Sequence, residues 1–238
     1  MEIVREAARM QAIALDLERR GVTIGLVPTM GALHEGHLAL VKHASEMAQH
    51  VVVSIFVNPL QFGPSEDLAR YPRDLDGDCR KLAALGVEHV FAPDVADLYP
   101  ASFQTEVRVG CLPGHLCGLT RQGHFAGVTT VVCKLFNLCR PSLAVFGRKD
   151  YQQLRVIEQM VEDLDMPVRI VAHPTVREPD GLAMSSRNAY LTAQDRLKAP
   201  MVQATLAWMR DAIAAGRRDG VGLEREGRSR LADAGFDV

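Results

Sequence analysis

Two histidines three residues apart, His34 and His37, lie within the segment PTMGALHEGHLALV, residues 28–41. At the start of a helix this spacing sends both imidazoles to the same side of the first turn. Gly31 precedes the pair and Gly36 lies between its two members, and without side chains they let a ligand come close to the backbone. The free N–H groups and the dipole at a helix start favour an anion. Imidazole and amide donors gathered this way suit a phosphate. The Gly31–Gly36 spacing matches the opening of a P-loop, but His37-Leu38 stand where Lys-Ser/Thr is required, which argues against a P-loop nucleotidase. As a metal pair the histidines lack a third ligand and the HExxH spacing. Capping or solvent-facing rings remain the plain reading of either histidine alone.

Three more segments carry polar side chains just beyond apolar runs. FVNPLQFGPSEDLARYPRD, residues 56–74, offers Asn58 and Gln61, neutral groups able to read a hydroxyl or a carboxylate. VFGRKDYQQL, residues 145–154, offers Lys149 as a mobile cation, Asp150 as a helix cap, and Gln152 and Gln153 at a helix start. REPDGLAMSSRNAYL, residues 177–191, places Ser185, Ser186 and Arg187 in a loop where hydroxyls and a guanidinium can meet phosphate oxygens. Taken singly these are a proline-stabilised turn, a capped helix and a polar linker. Their common placement after strand-like runs is what suggests a site.

The elements that must position them follow from periodicity. Ile3, Ala7, Met10, Ala14 and Leu17 predict a helix that Gly21 ends. Residues 22–27 and 51–57 are apolar runs of strand length, the mark of strands buried on both faces. Leu38 to Ala48, the second half of 67–85, Val128 to Leu138 and Leu154 to Leu164 predict helices, while 87–92, 143–146 and 168–171 predict strands. Strand and helix in alternation imply a parallel α/β sheet, whose ligands bind at the carboxyl ends of the strands where the strand order reverses. Composition changes near residue 176. A first domain over 1–175 and a smaller one over 176–238 are expected, the latter with one helix around 192–215 and a charged Gly- and Arg-rich tail.

The chain has 238 residues and a net charge of −2, which argues against a nucleic-acid binder or a ligand of anionic membranes. Five cysteines without a CxxC pair fit free thiols, with Cys133 and Cys139 as small core residues. The charged first residues lack the apolar stretch of a signal peptide, and a cytoplasmic protein is expected.

HEGH after the first buried strand, with Ser-Ser-Arg downstream, resembles the HxGH superfamily of nucleotidylyltransferases and class I aminoacyl-tRNA synthetases. PTMGALHEGH, SIFVNPLQF, EDLARYPRD, RQGHFAGV, KLFNL, FGRKDYQQL and DGLAMSSRNAYL together resemble the pantothenate synthetase family over nearly the whole chain. The resemblance implies a Rossmann-like parallel sheet flanked by helices, with a smaller, here shortened, C-terminal α+β domain. It implies ATP-dependent joining of pantoate and β-alanine through a pantoyl adenylate, releasing AMP and pyrophosphate. ATP would lie on Met30, Gly31, Ala32, Leu33, His34, Glu35, Gly36 and His37, on Gly147, Arg148, Lys149 and Asp150, and on Val176, Met184, Ser185, Ser186 and Arg187. His34, His37 and Lys149 would face the phosphates, with His37 as general acid. Gln61 and Gln153 would hold pantoate, and Gln61 also β-alanine. Magnesium would bridge the phosphates, aided by Asp78, its protein ligands otherwise unassigned. A homodimer without nucleic-acid or membrane partners is implied. Arg148 departs from the glutamate common in the family and Gln122 from a proline, and family members commonly continue through a longer C-terminal domain.

Overall fold

A computed structural model describes all residues from Met1 to Val238. The chain divides into two compact units, Met1–Pro174 and Thr175–Val238.

The first unit runs β1 (Glu2–Val4), α1 (Ala7–Arg19), β2 (Ile24–Thr29), α2 (Glu35–Ser45), β3 (His50–Ile55), α3 (Leu75–Ala84), β4 (His89–Phe91), α4 (Val95–Leu98), α5 (His124–Cys139), β5 (Leu143–Gly147), α6 (Tyr151–Asp163) and β6 (Arg169–His173). All six strands pair in parallel, in the order β1-β4-β3-β2-β5-β6. The β-branched run Val51 to Val53 suits a pleated strand, and these residues are buried because helices cover both faces of the sheet. One apolar layer joins α1, α5 and α6 to the sheet; the other joins α2 and α3 to the opposite face. Cys139 is buried in the first layer and Cys133 packs beside it; all five cysteines are free thiols.

From β2 to β4 the chain winds toward one edge, then restarts on the other side of β2 with β5 and β6. The reversal therefore falls between β2 and β5. Their ladder pairs Gly25 with Leu143 and Leu26 with Ala144 and goes no further, although both strands continue. Pro28 gives the cause. The Ile24 carbonyl accepts a bond from Ser142 on the β5 side, whereas the Thr29 carbonyl bonds to Phe56 on the β3 side. By alternation Pro28 faces β5, where it has no N–H to give. The two strands part there and open a crevice at the switch point.

Two expectations are corrected in this unit. Residues 2–4 are not helical: the Glu2 N–H donates to the Glu88 carbonyl at 2.7 Å and the Ala92 N–H to the Val4 carbonyl at 2.8 Å, so ladder bonds to β4 outweigh the helical spacing of Ile3. Asp150 occupies the cap position of α6 but makes no capping bond, its carboxylate instead lying 3.2 Å from the Lys149 ammonium.

In the second unit a turn closes with the bridge Arg177–Ala183 and with the Met184 N–H bonded to the Val176 carbonyl. A 3-10 turn at Ser186–Tyr190 follows, then α7 (Ala193–Lys198), α8 (Met201–Ala214) and α9 (Gly220–Asp233). Where an α+β unit is implied, β pairing among these residues is limited to that bridge. The single helix expected over 192–215 is two, broken before Pro200, which cannot donate to the preceding turn. The charged Gly- and Arg-rich tail, for which no element was expected, forms α9, packed on α8 with Arg217 holding Glu226 by two bonds and Arg230 stacked over Trp208 at 4.2 Å.

Candidate active site

The backbone leaving β2 turns sharply at two left-handed residues, Gly31 (φ 83°) and Ala32 (φ 50°). A Cβ on Gly31 would also stand 3.0 Å from Ile55 and 3.2 Å from Asp78, so neither the conformation nor the space admits a larger residue. Asp78, on α3, holds this turn. Its two carboxylate oxygens each accept one backbone N–H, from Ala32 and from Leu33, both at 2.7 Å. Lys81 donates to the Leu33 carbonyl at 2.5 Å and lies 4.0 Å from Asp78. Burial raises the Asp78 pKa, and the two amides and Lys81 offset that only in part. Asp78 is expected from the family likeness to assist magnesium; its contacts instead show a residue that positions the loop.

The turn delivers His34 to the N-cap of α2. Its Nδ1 accepts the Gly36 N–H at 3.1 Å, while its own N–H donates to Nδ1 of His37 at 3.4 Å. The rings lie 4.0 Å apart. With both Nδ1 atoms accepting, each neutral ring carries its proton on Nε2. Burial keeps them neutral: it lowers the His37 pKa to about 3, with His34, Lys149 and Lys81 adding to the effect, and lowers His34 in the same direction. Lys149, in the turn after β5, acts on both rings, so the ends of β2 and β5 contribute to one electrostatic site across the crevice. Because the folded pKa of His37 lies below the ordinary 6.5, the unfolded chain binds that proton more readily. The melting temperature should therefore hold above pH 6.5 and fall as pH drops toward 3, and His37→Gln should flatten part of that fall in a calorimetric pH series.

Gln61 ends the 3-10 turn Pro59–Gln61 after β3. Asn58 donates to the Gln61 Oε1 at 3.0 Å and to the Gly127 carbonyl at 3.1 Å, and accepts from the Tyr99 hydroxyl at 2.9 Å. With its oxygen taken, Gln61 presents its NH₂ group, which lies 3.3 Å from the Met30 sulfur. His124 and Arg121 reach the Gln61 carbonyl, and Arg121 also forks onto Glu66 at 2.8 and 2.6 Å. Gln61 thus joins the β2 turn through Met30. Gln153 is half-buried in the first turn of α6, and Gln152 ties that helix to the Leu112 and His115 carbonyls.

Tyr99, Glu66, Arg121, His124 and Gly127 received no role from the sequence. RQGHFAGV was conspicuous only as part of a likeness, and its partners lie tens of residues away. Gly127 makes its part testable. An added Cβ would sit 2.2 Å from the Leu60 carbonyl oxygen and 2.6 Å from the Gln61 nitrogen. Gly127→Ala should therefore cost about 1–3 kcal/mol, as overpacking does, and displace Gln61. A lowered melting temperature is expected in thermal unfolding.

A family model described as pantoate-beta-alanine ligase matches residues 2–237. The pantothenate synthetases of Alkalilimnicola ehrlichii and Stutzerimonas stutzeri are 55% and 54% identical, each alignment covering 99% of this chain and 83% of the relative. The chain belongs to the pantoate–β-alanine ligase family. Among solved structures, the pantothenate synthetase of Thermus thermophilus matches with TM-score 0.91 and 47% identity, covering 98% of this chain and 83% of that one. A pantoate–β-alanine ligase from Francisella tularensis, solved as a complex with beta-gamma ATP and β-alanine, matches with TM-score 0.87 and 37% identity over 99% of this chain and 86% of that one.

In this member of the pantoate–β-alanine ligase family the first unit holds Met30 to His37, Gln61, Gln153 and Gly147 to Asp150. The remaining candidates, Val176 and Met184 to Arg187, belong to the second unit. There the Ser185 hydroxyl accepts the Arg187 N–H at 3.3 Å and caps the 3-10 turn that carries Ser186 and Arg187. No helix is long and apolar enough to cross a membrane.

Proposed function

We propose that the chain ligates pantoate to β-alanine with ATP, through pantoyl adenylate, at the crevice between β2 and β5. The observation that carries this reading is the mutual capping of two neutral imidazoles, which leaves each ring's proton on Nε2, beside the Lys149 ammonium whose charge reaches both. Such donors suit a triphosphate whose charge moves as it reacts.

A pantoate carboxylate oxygen attacks the α-phosphorus, the bond to the bridging oxygen breaks, and pyrophosphate leaves with the electron pair. Lys149 and the Nε2–H groups of His34 and His37 hold the departing phosphates. The β-alanine amine then attacks the acyl carbon, AMP departs, and the amine proton goes to solvent. The NH₂ of Gln61 and the Gln153 amide orient pantoate without neutralising its carboxylate, and Gln61 also meets β-alanine. A ring with a pKa near 3 has no spare proton at neutral pH. His37 is therefore read as a hydrogen-bond donor in the free protein, in place of the general acid implied by resemblance. Magnesium arrives on the ATP.

Val176 and Met184 to Arg187 complete the nucleotide contacts in this reading, with the smaller domain taken from residue 176. A cytoplasmic homodimer without nucleic-acid or membrane partners is proposed on family likeness. The exchange of labelled pyrophosphate into ATP tests the reaction. Exchange should require pantoate and proceed without β-alanine. Exchange driven equally by unrelated acids, or absent until β-alanine is added, would contradict it.

A further inference from the structure

The amino ends of the strands carry a second histidine pair, at the opposite end of the sheet from the crevice. His50 opens β3 and His89 opens the adjacent β4, with Glu2 of β1 in register with His89. The His50 side chain is 4% exposed and that of His89 17%, so both are held by the fold. His50 Nε2 and His89 Nδ1 face each other at 2.9 Å. Each ring has its other nitrogen toward a carboxylate: His50 Nδ1 lies 3.0 Å from Glu88, and His89 Nε2 lies 3.6 Å from Glu2. One donor atom from each of His50, Glu88 and His89 falls within 4.8 Å of the others.

Two inward nitrogens, each backed by a carboxylate on the far side of its ring, form the pattern by which proteins fix metal-binding imidazoles. Metal–nitrogen bonds of about 2.0–2.1 Å meeting at about 90° place their donors about 2.9 Å apart, whereas a tetrahedral angle needs about 3.3 Å. Right-angled ligand pairs belong to tetragonal or octahedral ions of the nickel and copper kind. We propose that His50 and His89 form a binding site for such a divalent ion, Ni²⁺ or Cu²⁺, with Glu88 and Glu2 orienting the rings and water filling the other positions.

Loading needs no loss of protons. Glu88 accepts the His50 Nδ1–H, leaving the Nε2 lone pair free. In the unloaded chain that lone pair takes the His89 Nδ1–H. When the ion enters, the His89 proton moves to Nε2, on the side of Glu2, and both rings turn about their facing nitrogens, off the line of their hydrogen bond, so that the two lone pairs meet at one centre.

Ni²⁺ is the probe of choice, since the exposed thiols of Cys111 and Cys117 would reduce Cu²⁺. Titrating NiSO₄ into the full chain by calorimetry at neutral pH should show one ion bound per chain and a raised melting temperature. His89→Gln should weaken binding at least tenfold, and the exposed change Glu88→Gln by about 10–100-fold. The double change His34→Gln/His37→Gln should leave it intact. Should His89→Gln not fold, Glu88→Gln alone carries the comparison. No binding, binding indifferent to both changes, or binding that disappears with His34 and His37 would overturn the site.

Discussion

Replacing His37 with alanine should slow pantoate-dependent pyrophosphate exchange by at least about a hundredfold, the usual effect of removing one buried donor to a developing oxyanion. The Nε2–H of this ring is fixed by geometry. Its Nδ1 already accepts the His34 N–H, and burial holds the ring neutral. A contact that strengthens as charge passes to the departing pyrophosphate lowers kcat when lost, and leaves KM for ATP nearly unchanged. His37→Gln keeps a neutral N–H donor on a side chain of comparable reach and should recover part of the rate. A structural role alone would give a different result. Losing the reciprocal cap of α2 costs about 1 kcal/mol, a matter of a few degrees in melting temperature, and glutamine would show no kinetic advantage over alanine. Near-normal turnover of the alanine variant would remove His37 from the chemistry.

The second large effect is expected at the carboxylate that holds the loop between β2 and α2. Asp78→Asn changes almost no volume but replaces one acceptor oxygen with an NH₂ group facing a backbone N–H. The Ala32 and Leu33 amides, both bonded to this carboxylate at 2.7 Å, cannot both be satisfied by an asparagine. Each buried donor left without a partner costs about 1–3 kcal/mol, so a loss of about 2–5 kcal/mol is expected. For a chain of this size that amounts to a fall of roughly 5–15 °C in melting temperature. Exchange activity should fall with it, even at temperatures where the variant is folded, because the same turn sets His34 at the head of α2. Thermal unfolding followed by circular dichroism, with exchange rates at 20–25 °C, measures both. A melting point within about 2 °C of the native chain would mean that the turn does not depend on Asp78.

These cases show what could be read from residues alone. β2, β3 and the loop between β2 and α2 were legible because short apolar runs and glycine-flanked histidines carry their meaning locally. That the candidate residues of the first unit gather after the carboxyl ends of β2, β3 and β5 followed from strand–helix alternation. The parting of β2 from β5 was not legible, although Pro28 is plain in the sequence. Its effect depends on which neighbour it faces, and that is a property of the sheet order. Asp78 was given only a part in holding magnesium, by resemblance, because its partners are backbone amides more than forty positions away. Capping was a plain reading of either histidine alone, but that His34 and His37 cap each other depends on both rings being turned toward the other's backbone at the helix start. Tyr99 and Asn58, which set the orientation of the Gln61 amide, are joined only by tertiary structure. Gly220, Gly222 and Gly227 made α9 look like a tail. In the fold, Gly227 lets Met209 approach to 3.3 Å from where a Cβ would lie, so low helix propensity is exchanged for close packing.

The claim that the acid attacks the α-phosphorus is open to one direct measurement. Pantoate labelled with ¹⁸O in its carboxylate should be turned over with ATP and β-alanine, and the products weighed by mass spectrometry. Attack at the α-phosphorus leaves one labelled oxygen on AMP when β-alanine displaces it, with pyrophosphate unlabelled. Label found in pyrophosphate or orthophosphate, or AMP without label, would contradict an adenylate formed in the crevice between β2 and β5.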